Sequence, residues 1–211
     1  PLMVESHCFS LNDQTEQLYQ FPAIAKLSSA WGASSSKARL IVHMLFAEPR
    51  FENLIVGHLG MAPLALAMKL SGRLQSYFVQ LHGIEAWQQA TLLERWALRS
   101  ATGILATTQF TAQECARYNR ISAEKFHIIP LCLSDQTANP NPHFRLNGAF
   151  KLLCVARQDN SERYKGFEMI FEALAMLRTT QPDVHLNLVG QGNDQSRLRA
   201  VAEDLGIASQ V

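Results

Sequence analysis

The sequence has almost no net charge. Nineteen lysines and arginines stand against eighteen aspartates and glutamates, a formal balance of +1 over 211 residues. No broad field is available to gather nucleic acid without sequence preference, so any anion must be met by a local cluster of cations. Aromatic residues are not interleaved with basic ones on any strand-like run, which removes the stacking platform that single-strand nucleic-acid binding needs. Cysteine is sparse. Cys8, Cys115, Cys132 and Cys154 form no C-x-x-C pair and lie in or beside apolar segments, as reduced structural thiols in a reducing cytosol do. Long apolar runs are missing too. The longest, residues 54–70, is broken by His58, Pro63 and Lys69 and falls short of the roughly 20 apolar residues of a bilayer span. Pro1 heads a segment without the basic flank and apolar run of a secretory signal, and the lack of an initiator Met suggests a late start. H-E-x-x-H, G-x-S-x-G and G-x-x-x-x-G-K-[ST] do not occur, which leaves zinc peptidase, α/β-hydrolase and P-loop chemistry without local support.

What is present is an ordinary globular composition, 47% hydrophobic and 18% charged, enough to bury a core without disulfides or metal. Residues 13–29 carry apolar positions at roughly helical spacing, interrupted by Pro22. From there short β-rich runs alternate with helical patterns. Residues 40–46, 53–58, 76–81, 103–107 and 126–130 read as strands. Residues 62–70, 88–100 and 110–119 read as helices, the first closed by Gly72 and the last capped by Thr108. Continuous apolar strands separated by helices imply a parallel sheet covered on both faces, the Rossmann-like α/β layout.

The pattern lapses between residues 135 and 149 into a polar stretch with Pro140 and Pro142, which reads as a linker. The expected organisation is a first domain over residues 1–134, that linker, and the start of a second domain over residues 150–211. In the second, residues 150–156 and 184–189 read as strands and residues 167–179 and 194–205 as helices, with Gly206 closing the last. Two strands and two helices bury too little to complete a domain, so the second is expected to be unfinished.

The segment 155–166, Val-Ala-Arg-Gln-Asp-Asn-Ser-Glu-Arg-Tyr-Lys-Gly, places cations in a loop that leaves a strand and enters a helix. Strand ends are where open α/β sheets bind ligands, and a helix N-terminus favours an anion. Arg157 and Lys165 therefore make a diphosphate clamp; the competing reading is a solvated basic loop, and the strand-end position of Arg157 favours the clamp. His82, followed by Gly83, ends another strand, where it reads equally as a ligand contact or as a hydrogen-bonded turn residue. His58 in Gly57-His58-Leu59-Gly60 is a weaker case of the same kind, with a structural or cleft-lining role. Gly190 and Gly192 make a tight turn whose amides suit phosphate or sugar, or serve the turn alone. A third glycine of G-x-G-x-x-G would fall at Gln195, which disfavours a nicotinamide dinucleotide.

In this order, His82-Gly83 after a strand, Gly103-Ile-Leu-Ala-Thr-Thr, Phe126-His-Ile-Ile-Pro, Arg157 to Lys165-Gly166 and Gly190-Gln-Gly192 resemble glycosyltransferase family 4, retaining enzymes of the GT-B type, across residues 53–211. The resemblance implies two Rossmann-like domains facing a cleft, acceptor on the first and nucleotide sugar on the second. It implies that Arg157 and Lys165 hold the donor diphosphate, that His82 sits against the transferred sugar, and that Gly190 and Gly192 line the donor site. The expected partners are a nucleotide-sugar donor and a glycan or lipid-linked acceptor, with no nucleic acid, no metal and no further cofactor. The setting it implies is cytoplasmic, with peripheral contact at the membrane face for some relatives. Three departures stand out. Residues 1–39 hold no glycine-rich loop; Glu162, Glu168 and Glu172 are followed eight positions on by Ile170, Met176 and Thr180 rather than by a second glutamate; and the Pro-Asn-Gly turn reads Pro130-Leu131-Cys132. A nucleotide-sugar epimerase and a non-catalytic binding fragment are the alternatives.

Overall fold

A computed structural model describes residues 5–20, 23–47, 50–132 and 145–211. The chain divides into two compact units, residues 1–134 and 135–211. The expected linker lies for the most part outside the described residues, as does the expected interruption at Pro22.

In the first unit β3 (Phe51–Val56), β4 (Leu74–Leu81), β5 (Gly103–Ala106) and β6 (Phe126–Ile128) form one sheet in that order, every pair parallel. Parallel neighbours require crossovers, and three helices supply them: α3 (Ala62–Leu70), α4 (Leu92–Ser100) and α5 (Gln109–Asn119). The central strand β4 shows why the sheet is stable. Tyr77, Val79 and Leu81 alternate onto one face and are all fully buried, and the Tyr77 hydroxyl donates to the Ala97 carbonyl of α4 at 2.6 Å. Helix starts are written locally. Thr91 accepts from the Glu94 amide while the Glu94 carboxylate accepts from the Thr91 amide, a reciprocal capping box. Thr108 caps α5 through the Thr111 amide, as its sequence position predicts.

The first forty-seven residues differ from expectation. Residues 40–46, read as a strand, are helical: α2 (Lys37–Val42) runs into a π-helical turn, His43–Ala47. Only Leu40 and Met44 of that stretch are buried, a helical i, i+4 pair, while Ile41, Val42 and Phe46 are exposed. The helical reading of 13–29 reduces to α1 (Thr15–Leu18) and a short 3₁₀ turn, Ile24–Lys26. Two strands appear that the sequence reading does not contain, β1 (His7–Ser10) and β2 (Ser29–Gly32), paired in parallel as a separate ladder. Phe9 meets Phe51 edge-on at 5.7 Å, which brings β1 beside β3, and a cavity of about 420 Å³ opens between those strands.

The second unit has β7 (Phe150–Val155) parallel to β8 (Val184–Val189), covered by α6 (Phe167–Leu177) and α7 (Gln195–Asp204). Phe167, Phe171, Leu174, Val184, Leu186, Leu198, Ala202 and Ile207 make its core. Gly206 closes α7 at φ 66°, the left-handed value that glycine adopts without strain.

Candidate functional site

The basic loop begins two residues past β7. Asp159 caps a 3₁₀ turn, Asn160–Lys165, its carboxylate accepting from the Ser161 amide at 2.9 Å and the Ser161 hydroxyl at 2.6 Å. Those two hydrogen bonds hold the Asp159 carboxyl below its ordinary range. Gly166, at φ 74°, turns the chain out of the 3₁₀ segment and into α6.

This geometry brings Arg157 and Lys165 together on one carboxylate. The Arg157 guanidinium lies 3.2 Å from Glu162 Oε1 and the Lys165 ammonium 2.6 Å from Glu162 Oε2. The Arg157 side chain is 68% exposed, against 24% for Lys165 and 17% for Glu162, so the cations cover the carboxylate and the guanidinium faces solvent. Glu162 carries no site role in the sequence reading. Its signal was its place three residues before Lys165, although the backbone leaves helical values at Glu162 itself (φ −111°, ψ 30°).

The positive end of α6 is already occupied. The Glu168 carboxylate is held below its ordinary range by its own backbone amide first and by Arg163 next. Arg163 meets Glu168 at 2.8 Å, Arg197 meets the same Glu168 oxygen at 2.8 Å, and Arg197 meets Asp194 at 2.6 Å. This chain of ion pairs joins the basic loop to the starts of α6 and α7, so the helix terminus that was expected to favour an external anion already carries an internal one.

Gly190 and Gly192 have a packing duty of their own. The loop after β8 lies directly on the loop after β7: Ala156 N–H donates to Val189, Gln158 N–H to Gln191, and Asp194 N–H to Gln158, at 2.9–3.0 Å. A Cβ at Gly190 would fall 2.0 Å from the Ala156 carbonyl oxygen, and one at Gly192 would fall 1.9 Å from that of Gln158. The two glycines permit the contact that holds the Arg157 backbone in place.

In the first unit His82 follows β4 and is tied on both sides. Its Nε2 is 2.9 Å from the Gly57 carbonyl beyond β3, and its own carbonyl accepts from Thr107 Oγ1 at 2.9 Å beyond β5. A carbonyl only accepts, so Nε2 carries a proton and donates to Gly57. Glu85 folds back to accept from the amides of His82 at 2.5 Å and Gly83 at 3.0 Å. Trp87 packs over Gly83, donates from Nε1 to Thr111 Oγ1 at 3.2 Å and meets Phe110 edge-on at 5.3 Å. The His58 ring accepts from the Gly60 amide at 3.0 Å and borders the cavity between β1 and β3. Among the described residues, no helix is long and apolar enough to cross a membrane, and no three His, Cys, Asp or Glu side chains cluster to hold a metal ion.

Two successive units of parallel strands and crossover helices, each with polar groups at the carboxyl ends of its strands, define the GT-B type of α/β fold. No family model matches the chain. A GDP-mannose-dependent alpha-(1-6)-phosphatidylinositol monomannoside mannosyltransferase from Mycolicibacterium smegmatis is 29% identical over 163 residues, covering 71% of this chain and 42% of that protein. The chain thus spans about two fifths of the curated relative it matches. HepE from Anabaena, solved in complex with UDP, has a TM-score of 0.69 at 14% identity over 98% of this chain and 68% of its own. TarM from S. aureus, solved with Fondaparinux, alpha-GlcNAc-glycerol and UDP, has a TM-score of 0.59 at 14% identity over 82% of this chain and 35% of its own. These findings bear out the resemblance to GT-B glycosyltransferases read from the sequence.

Proposed function

We propose that the intact protein transfers a sugar from a nucleotide-sugar donor to a glycan or lipid-linked acceptor with retention of anomeric configuration, in polysaccharide or glycolipid biosynthesis in the cytoplasm. The observation that carries this reading is the meeting of Arg157 and Lys165 on one pair of oxygens beyond the end of β7. The relative's name specifies GDP-mannose and the two solved structures hold UDP, so a nucleoside diphosphate is what the three have in common. That shared part is what two convergent cations address.

Breaking a sugar–phosphate bond builds positive character on the ring and negative charge on the departing diphosphate. Fixed cations aimed at that charge act without a metal and without rearranging as the charge appears. Arg157 forks onto two phosphate oxygens; Lys165 acts as a compact point charge. In the first unit the His82 ring, tied to the Gly57 carbonyl through Nε2, leaves Nδ1 to orient a sugar hydroxyl. Gly190 and Gly192 keep the clamp loop seated, and their amides serve the donor side.

The test is transfer of labelled sugar by the full-length protein from a panel of nucleotide sugars, with chiral analysis of the product. Arg157→Ala or Lys165→Ala is expected to lower turnover by about a hundredfold or more, the usual cost of removing one fixed electrostatic group. Wild-type turnover in either variant would overturn the assignment. An altered nucleotide sugar formed without acceptor would point instead to an epimerase.

A further inference from the structure

We infer that Glu162 is a positioning residue of this site: it holds Arg157 and Lys165 convergent when no donor is bound and, by keeping one negative charge on them, weakens the grip on a diphosphate. The inference rests on the proposed function. Three observations carry it. Each Glu162 oxygen takes a different cation, at 3.2 Å and 2.6 Å, the pairing that two phosphate groups of a diphosphate would require. The carboxylate is the least exposed of the three side chains, so it forms the floor of the cluster and an anion arriving from solvent meets the guanidinium first. Lys165 lies three residues after Glu162 in a turn that the Asp159 cap begins and that kinks at Glu162 itself (φ −111°, ψ 30°), so the pair is a local contact within one short loop.

The charge arithmetic gives a direction. Arg157 and Lys165 face the Glu162 carboxylate directly and the Asp159 carboxylate at longer range, so an isosteric neutral residue at 162 raises the charge offered to a diphosphate by one unit. A catalyst that must release a diphosphate product gains from the weaker grip, and one that must find its donor gains from cations already in place.

The experiment is calorimetric titration of the full chain with inorganic pyrophosphate, comparing wild type with Glu162→Gln, Glu162→Asp and Arg157→Ala. Glu162→Gln is expected to bind pyrophosphate about five- to tenfold more tightly, and the gain should shrink as salt is raised, because a bare charge interaction is screened. Glu162→Asp, which keeps the charge, should return to within about threefold of wild type. A purely structural role would move neither the salt dependence nor the difference between Gln and Asp. Equal or weaker binding by a folded Glu162→Gln chain, with Arg157→Ala still weakening binding, overturns this inference and leaves the proposed function standing. Pyrophosphate binding that is undetectable in wild type and Glu162→Gln alike overturns both.

Discussion

Gly192 and Gly190 were read from the sequence with ligand contact and plain turn geometry in balance, and the coordinates give them a definite structural duty. A methyl group at Gly192 would sit 1.9 Å from a backbone oxygen, and no rotamer change relieves a clash between two main chains. Gly192→Ala is therefore expected to separate the loop after β8 from the loop after β7, lowering stability of the second unit by about 3 kcal/mol, at the upper end of ordinary single substitutions. Urea unfolding followed by far-UV circular dichroism measures this, and a loss near zero would mean the loops are not in contact. Arg157 and Lys165 were singled out by their places at a strand end and a helix start, and the structure brings both onto the Glu162 carboxylate. Glu162 was harder to see, because the sequence spacing between it and Arg157 says nothing of a contact made across a loop.

Caps and buried polar links decide where helices begin and what they lean on. Thr91→Ala removes the hydroxyl that accepts from the Glu94 amide, the side-chain half of the α4 capping box, and should cost about 1 kcal/mol, visible as a lowered melting temperature. Asn119 is a stronger case: fully buried at the end of α5, it accepts from the Ala90 amide at 2.8 Å and donates to the Cys115 carbonyl at 3.1 Å. Asn119→Ala leaves a buried amide without its acceptor and should destabilise the first unit by about 2 kcal/mol or more. The starts of α6 and α7 respond to acid. The folded carboxyls of Glu168 and Asp194 titrate below their ordinary range, Glu168 chiefly through its own backbone amide and Asp194 chiefly through Arg197. A depressed folded pKa gives stability that is present above the unfolded value and lost as pH falls through the folded one. The second unit should accordingly weaken in mild acid below about pH 4, where unfolded carboxyls titrate, and high salt should mute the effect because these pairs are partly solvated. Most helices and strands from residue 51 onward were legible in the sequence through apolar runs, alternation or helical spacing, although the helix read over residues 88–100 begins only at Leu92. The first fifty residues were not. Four-residue strands such as His-Cys-Phe-Ser and Ser-Ala-Trp-Gly carry no apolar run, and exposed Ile41, Val42 and Phe46 disguise a helix whose buried residues are only Leu40 and Met44.

Across the chain, each unit is built around its own set of buried side chains: Tyr77, Leu81, Leu98 and Ile104 belong to the first, Phe171, Leu174, Val184 and Ile207 to the second. The three tryptophans, Trp31, Trp87 and Trp96, all fall within residues 1–134. Tryptophan fluorescence therefore reports the unit that contains His82, whereas far-UV circular dichroism and pyrophosphate binding also report the unit that contains Arg157 and Lys165. Phe171→Ala removes a ring that is only 1% exposed and should cost about 3–5 kcal/mol, more than a two-stranded sheet with two helices can readily lose. The expected outcome is loss of pyrophosphate binding and of part of the helical signal, with the fluorescence-detected transition left where it was. Leu98→Ala, fully buried in the other core, should do the reverse, lowering the fluorescence transition while pyrophosphate still binds. If both substitutions shift the fluorescence transition equally, the two cores unfold as one, and a change in either unit would be felt at both His82 and the Arg157–Lys165 pair.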